Sequence, residues 1–141
     1  MTAALRRFAL PLAVAAAVAV TALALGWALW PSGATAAVLR GGTPHHTVTV
    51  SVERPRRGTT AIEVDVVARS GAATPATVSV EPTMPLLGLA APPVGATARS
   101  PGRFQASGVV LLATGPCELR IVLTDRQGKS SELVLPFTVS G

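Results

Sequence analysis

The sequence predicts an all-β domain, an immunoglobulin-like antiparallel β-sandwich of about seven strands, preceded by one N-terminal transmembrane (or signal) helix. An uncharged apolar stretch runs from Phe8 to Trp30 and is the only helical pattern in the chain. From residue 47 onward, apolar and polar residues alternate with a period of two, as in half-buried strands. Turn-forming residues interrupt this alternation roughly every 8–12 residues, which is typical of a β-sandwich.

The apolar stretch is long enough to cross a membrane. Its 23 residues would extend about 34 Å as a helix, against a hydrocarbon core of about 30 Å. Arg6 and Arg7 precede it, and positive charge stays on the cytoplasmic side. Trp27 and Trp30 stand where an aromatic belt forms at the outer interface. The sequence therefore predicts a single-pass anchor with a cytoplasmic N-terminus and an extracytoplasmic C-terminal part.

A cleaved signal peptide is the alternative interpretation of this region. The apolar core exceeds the length of about 7–15 residues that signal peptides have, which favours a retained anchor. Ala34-Thr35-Ala36 nevertheless has the small-x-small pattern of a cleavage site, and cleavage near Ala36 would release a secreted domain. The predicted organisation is an anchor or signal at 1–31, a flexible linker at 32–45 and an extracytoplasmic β-sandwich domain at 46–141.

The strands follow from the alternation. Residues 47–52 alternate valine with Thr and Ser, and residues 62–66 alternate aliphatic with acidic side chains. Residues 82–93 contain four prolines and predict an irregular surface segment. The same alternation predicts further strands at 78–80, 96–98, 104–112, 119–123 and 133–139.

Two residues mark irregular positions within these strands. Gly108 is the expected site of a β-bulge. Pro136 lacks an N–H, so the last strand is predicted to be an edge or to expose that position. The residues expected to face inward are Val50, Ile62, Val64, Val66, Val78, Phe104, Leu119, Ile121, Leu135 and Phe137.

Composition limits the function classes. The chain of 141 residues has a formal charge of +5, and without the two arginines before the anchor the exported part carries +3. This charge is modest and no basic and aromatic residues interleave, so the sequence does not predict nucleic-acid binding. Cys117 is the only cysteine, which excludes an intrachain disulfide.

Few side chains offer chemistry. His45 and His46 are adjacent, and neighbours in a strand point to opposite faces, so the pair alone makes a poor metal site. Met84 and Cys117 are the soft groups of the exported part. The sequence therefore assigns no metal ligand, and His45, His46 and Met84 are weak candidates only. It also predicts no cofactor and no catalytic residue, so we do not expect an enzyme.

A basic cluster provides a candidate partner surface. Arg54, Arg56 and Arg57 fall on a predicted turn. Such a cluster is suited to anionic lipid headgroups or an acidic partner, and a plain solvated turn is the alternative.

Two stretches resemble the YtkA-like (FixH-like) domain family. The first is Met84-Pro85-Leu86-Leu87-Gly88-Leu89, and the second begins at Gly102-Arg103-Phe104 and passes through Gly115-Pro116-Cys117 to the closing strand. The resemblance covers roughly residues 47–139. The chain departs from the family pattern at three positions, where Leu87 replaces Met, Leu89 replaces His and Cys117 replaces Trp.

The resemblance implies an extracytoplasmic β-sandwich, often membrane-tethered, that occurs beside copper-handling and cytochrome-oxidase assembly proteins. Because Leu87 and Leu89 replace side chains able to bind metal, the fold carries over better than a copper role. We expect a non-enzymatic membrane-tethered accessory or adapter domain, with an unidentified membrane or extracytoplasmic protein as partner. A general interaction or adhesion domain is one alternative, and an exported metal-binding protein using His45, His46 and Met84 is the other.

Overall fold

The computed structural model describes residues 35–141. This part of the chain folds into nine strands and one short 3-10 turn, without an α-helix. The named strands all pair antiparallel. The strands are β1 (Ala37–Gly42), β2 (His46–Val52), β3 (Gly58–Ala68), β4 (Thr77–Met84), β5 (Leu89–Ala90), β6 (Val94–Ser100), β7 (Arg103–Leu111), β8 (Gly115–Thr124) and β9 (Ser130–Val139), with the 3-10 turn at Pro85–Leu87.

The strands follow one continuous path in the order β1-β2-β3-β7-β6-β4-β8-β9, with β5 paired to β4. Strand β6 joins the two halves, since its first residues pair with β4 and its last residues pair with β7. The two terminal strands approach each other: a Cβ built on Gly41 of β1 would lie 2.6 Å from Cδ2 of Leu135 on β9. The sheet is therefore all-β, antiparallel and nearly barrel-like.

The inward faces of these strands form one apolar core. Nine of the ten residues predicted to face inward are buried, and Phe137 is half-buried against the same cluster. Ile62, Leu119 and Ile121 are completely inaccessible to solvent. Burial of such side chains contributes roughly 1.5–3 kcal/mol each by transfer from water, so the alternating pattern is the main source of stability.

Strand β1 corrects the predicted linker, which covered residues 32–45. Ala37 to Gly42 pair with β2 over six positions, from Ala37 opposite Val52 to Gly42 opposite Thr47. The segment contains only two partly buried apolar residues, Ala37 and Leu39, so its alternation is too short to identify a strand from sequence.

Pro82 lies inside β4, where the sequence predicted the start of an irregular segment. The Pro82 carbonyl accepts a hydrogen bond of 2.9 Å from the Ala91 N–H, so the backbone nitrogen of Pro82 faces the same side of the strand. On that side β6 pairs with residues 78–80 and β5 pairs with residues 83–84. Pro82 therefore lies between the residues that pair with β6 and those that pair with β5, and its missing N–H leaves a single hydrogen bond to Ala91.

The two irregular positions agree with the sequence. Between the pairs Thr60–Val109 and Ile62–Ala106, β7 has one residue more than β3, and Gly108 has a φ of 74° within this bulge. Pro136 is exposed on β9, which pairs only with β8 and ends the strand path. Both predictions are confirmed.

The turns of the domain collect at two ends. We call one the entry end, because the described strands begin there at Ala37; the pairs Ala37–Val52, Gly58–Leu111 and Gly115–Val139 lie there. The other is the opposite end. The entry end comprises residues 53–57, 85–93, 112–114 and 140–141, and the opposite end comprises residues 43–45, 69–76, 101–102 and 125–129.

The predicted anchor at residues 8–30 lies outside the described residues. Among residues 35–141, no helix has the length and apolar character needed to span a membrane.

Candidate functional site

Met84 and Cys117 are neighbours inside the domain. Thr83 on β4 stands opposite Glu118 on β8, so Met84 and Cys117 occupy the next positions of the two adjacent strands. Their exposed fractions are 3% and 2%. These two sulfur-bearing side chains therefore pack in the core at the entry end and expose almost no surface.

The Cys117 thiol is held in its neutral form. Burial raises the pKa of Cys117, partly offset by a backbone hydrogen bond from Thr83, and the carboxylate of Glu118 raises it further. Sγ also lies 3.8 Å from the Glu118 carbonyl oxygen. Since the thiolate is the metal-binding and nucleophilic form, this environment makes Cys117 a structural side chain.

The histidine pair lies at the opposite end, away from Met84. His46 starts β2, and its Nε2 donates a 2.7 Å hydrogen bond to the Ala73 carbonyl oxygen, while its Nδ1 is buried without a protein partner. The Thr43 hydroxyl oxygen accepts hydrogen bonds from the backbone N–H groups of His45 and His46, at 3.4 and 3.1 Å. Residues 35–141 hold no group of three or more His, Cys, Asp or Glu side chains able to share a metal ion.

Shallow grooves surround the opposite end. His45, His46, Pro75, Asp125 and Lys129 are among the residues that line a cavity of about 170 Å³. Two neighbouring depressions extend this surface around residues 73–76 and 125–127. The opposite end thus presents a concave surface of mixed charge.

The hairpin that borders these grooves is fixed by its own backbone. The Gly128 N–H donates to the Asp125 carbonyl oxygen at 3.1 Å, which closes the predicted turn. One carboxylate oxygen of Asp125 also accepts from the N–H groups of Gln127 and Lys129, at 2.8 and 2.9 Å. Asp125 therefore serves the turn itself, as aspartate commonly does at this position.

The basic turn, which we define as residues 54–57, is exposed at the entry end. Hydrogen bonds tie it to the end of the chain: the Arg57 N–H donates to the Ser140 carbonyl oxygen at 3.0 Å, and the Ser140 N–H donates to that of Pro55 at 2.8 Å. Among residues 35–141, no carboxylate side chain lies within 4.0 Å of the guanidinium groups of Arg54, Arg56 or Arg57. The arginines are fixed by their backbone while their charges face solvent.

Sequence reasoning missed an apolar feature at the entry end, the leucine turn, which we define as residues 85–89. The exposed fractions of Leu86, Leu87 and Leu89 are 81%, 55% and 38%. Gly88 adopts a left-handed conformation with φ of 64°, and its N–H donates to the Pro85 carbonyl oxygen at 3.2 Å. The two adjacent leucines between a proline and a glycine were the available signal.

The carboxylates of the strands are used in surface ion pairs. Arg103 lies 3.0 Å from Asp65 and 3.6 Å from Glu63, while Arg120 lies 3.1 Å from Glu132 and 3.7 Å from Glu81. These pairs are exposed or half-exposed, and such pairs contribute little to stability. These four carboxylates face arginines and do not orient a nucleophile or a histidine.

Comparison of the sequence with known protein families found no matching family model. Comparisons with curated proteins and with solved structures found no match either.

Proposed function

We propose that this chain is a non-enzymatic, membrane-tethered accessory or adapter domain that works outside the cytoplasm. Residues 8–30 provide the tether, and Arg6 and Arg7 hold the N-terminus on the cytoplasmic side. The β-barrel-like domain that follows offers its surface to another protein. The resemblance to YtkA-like domains makes copper handling or cytochrome-oxidase assembly the favoured process.

The observation that carries this proposal is the burial of both Met84 and Cys117. A carrier of Cu(I) needs two or three soft or imidazole groups that converge on one ion. Here the sulfur atoms lie within the core at the entry end, and the His45-His46 pair lies at the opposite end. This arrangement favours an adapter over a metal carrier.

The strand order supports an immunoglobulin-like sandwich as the finer description of the fold. Strands β2, β3, β7 and β6 form one neighbouring set, and β4, β8 and β9 form the other. These sets correspond to strands A, B, E and D and to strands C, F and G of an immunoglobulin-like domain. Strands β1 and β5 are then additions to the basic seven.

Membership of the YtkA-like family is part of the same proposal. Its support is the set of six matching residues in the two motif stretches: Met84, Pro85, Gly88, Gly102, Phe104 and Gly115. Leu87 and Leu89, which depart from the family pattern, both lie in the exposed leucine turn. The metal-capable positions of the family are thus apolar surface in this chain.

The opposite end is the surface that we assign to the partner protein. Its grooves combine apolar walls with Asp125 and Lys129, a composition suited to a protein ligand. A photo-crosslinking amino acid at Gln127, which is exposed in this end, tests the assignment in native membranes. The matched control carries the same group at Ser107, which is exposed on β7 away from this end.

We expect one defined protein adduct from position 127 and none from position 107. Identification of that adduct as an oxidase or copper-enzyme component would support the favoured process. Equal labelling at both positions, or no adduct from any residue of the opposite end, would contradict the adapter proposal.

A further inference from the structure

We infer that the entry end of the domain docks on the surface of an anionic lipid bilayer, with the leucine turn in the interface and the basic turn against the headgroups. The inference rests on the membrane tether in the proposed function. It assigns an orientation to the domain: the entry end faces lipid, and the opposite end is left free for the partner protein.

The chain enters the described domain at the entry end. Strand β1 begins at Ala37, which pairs with Val52, two residues before the basic turn. The entry end is therefore the part of the domain that follows the proposed tether most directly in the sequence.

Exposed apolar side chains are concentrated at this end. Leu86, Leu87 and Leu89 are joined there by Leu112, which is exposed in the turn between β7 and β8. Pro85 and Leu86 also share a surface depression with Phe137 at the end of β9. Exposed apolar side chains gathered at one end can mark an interaction surface, and an exposed turn that carries three leucines is suited to the headgroup boundary of a bilayer.

The charges at the entry end favour an anionic surface. Arg54, Arg56 and Arg57 project from a turn whose backbone is fixed to Ser140. Glu53 and Glu118 are the acidic side chains at this end, and neither forms an ion pair with these arginines. Arginines and exposed leucines at the same end of the domain provide the two components of interfacial binding, electrostatic attraction and apolar insertion.

An anionic bilayer accounts for the exposed leucines and the exposed arginines together better than a second copy of the chain does. In an isologous dimer the basic turns of two copies, both at the entry end, would approach each other, and each copy has three arginines there against two acidic side chains, Glu53 and Glu118. A lipid surface presents negative charge and an apolar layer at the same place. The tether also supplies this partner at high effective concentration, because the domain cannot leave the membrane.

The test uses the full chain, reconstituted into phosphatidylcholine vesicles that contain phosphatidylglycerol. Leu86→Cys is labelled with an environment-sensitive fluorophore, and Gln127→Cys at the opposite end is the matched control. Both positions are exposed, so labelling should leave the fold intact, and wild-type protein treated in the same way reports any labelling of buried Cys117. Nitroxide-bearing phospholipids then measure how close each fluorophore lies to lipid.

We expect blue-shifted emission and several-fold stronger quenching at position 86 than at position 127. Combining Arg56→Glu and Arg57→Glu should reduce the quenching at position 86, and raised salt should act in the same direction. Equal quenching at both positions would overturn the inference. The inference would also be overturned if the fluorophore at position 86 stayed in water in these vesicles and became shielded only in native membranes. The group that shields it would then be a protein and not a lipid.

Carbonate washing of the same vesicles separates this result from the fate of the proposed function. If the protein is released by the carbonate wash, the proposed membrane tether is contradicted. Protein that stays with the vesicles, with position 86 in water, contradicts lipid docking alone and leaves the tether in place.

Discussion

Met84 and Cys117 lie side by side on β4 and β8, with both side chains packed inside the domain. They are the only sulfur-bearing residues among residues 35–141. Their burial means that the groups with the greatest affinity for Cu(I) pack in the core and are not presented to solvent.

The first prediction follows directly: residues 37–141 should not bind Cu(I) tightly. Soft ligands must converge on the ion, whereas Met84 and Cys117 are buried and the His45-His46 pair lies at the opposite end. Competition with a chromogenic Cu(I) chelator measures this, with Met84→Leu as the control. Stoichiometric, submicromolar retention that disappears in Met84→Leu would revive the metal-carrier hypothesis.

Cys117 should react with thiol reagents only after unfolding. Burial raises its pKa, so the neutral thiol persists in the folded state at pH values where an unfolded cysteine, with an ordinary pKa of 9.0, ionises. The stabilising effect of the neutral thiol is therefore fully present below the unfolded pKa and is lost as pH rises towards the folded pKa.

Two measurements check this prediction. Thiol titration should show at least ten-fold slower reaction in buffer than in denaturant. The alkaline loss of stability should be smaller in Cys117→Ala, which lacks the titrating group. Equal reaction rates in both conditions would show that Cys117 is accessible in the folded protein.

Ile121→Asp should prevent folding. Ile121 is completely buried on β8, and the substitution removes roughly 1.5–3 kcal/mol of transfer free energy and places a carboxylate in the core. Domains of this size have only about 5–15 kcal/mol of total stability. Val134→Asp, at an exposed position of β9, is the control and should melt close to wild type in circular dichroism. If Ile121→Asp also melted like wild type, the assigned inward face would be wrong.

Gly41→Ala should destabilise the domain by about 1 kcal/mol, at the lower end of overpacking costs. The added Cβ would lie 2.6 Å from Cδ2 of Leu135 and 3.2 Å from Cδ1 of Leu133, and these flexible side chains can move to absorb part of the overlap. Gly95→Ala on β6 is the matched control, because nothing lies within 4 Å of its added Cβ. Urea midpoints decide the matter. Identical midpoints for both variants would mean that β1 does not pack against β9.

Alternation predicted the strands wherever several aliphatic residues faced the core. Residues 47–52 and 62–66 are strands as expected, since each offers three buried side chains at a period of two. Strand β1 was missed because its stability comes from pairing with β2 and from the close approach at Gly41, neither of which is visible in a local pattern. Pro82 was misplaced because only the gap between β5 and β6 makes a proline acceptable there.

The sites were harder to predict, because they depend on which turns meet in space. The basic turn was identified from its charges, but its connection to Ser140 joins residues 85 positions apart in the sequence, Pro55 and Ser140, which no local pattern reports. The leucine turn was interpreted only through its resemblance to a metal motif. Its exposure follows from the 3-10 turn that comes directly after β4, because the geometry of this turn points Leu86 and Leu87 outward.

The most direct test of the account is the fate of residues 1–36 in the mature protein. Membranes that contain the full chain are washed with carbonate, and the retained protein is weighed by intact mass spectrometry. The account predicts that the protein stays with the membranes at its full length. A soluble product whose mass begins at Ala37 would contradict it, because the domain would then have neither a tether nor a fixed orientation at the bilayer.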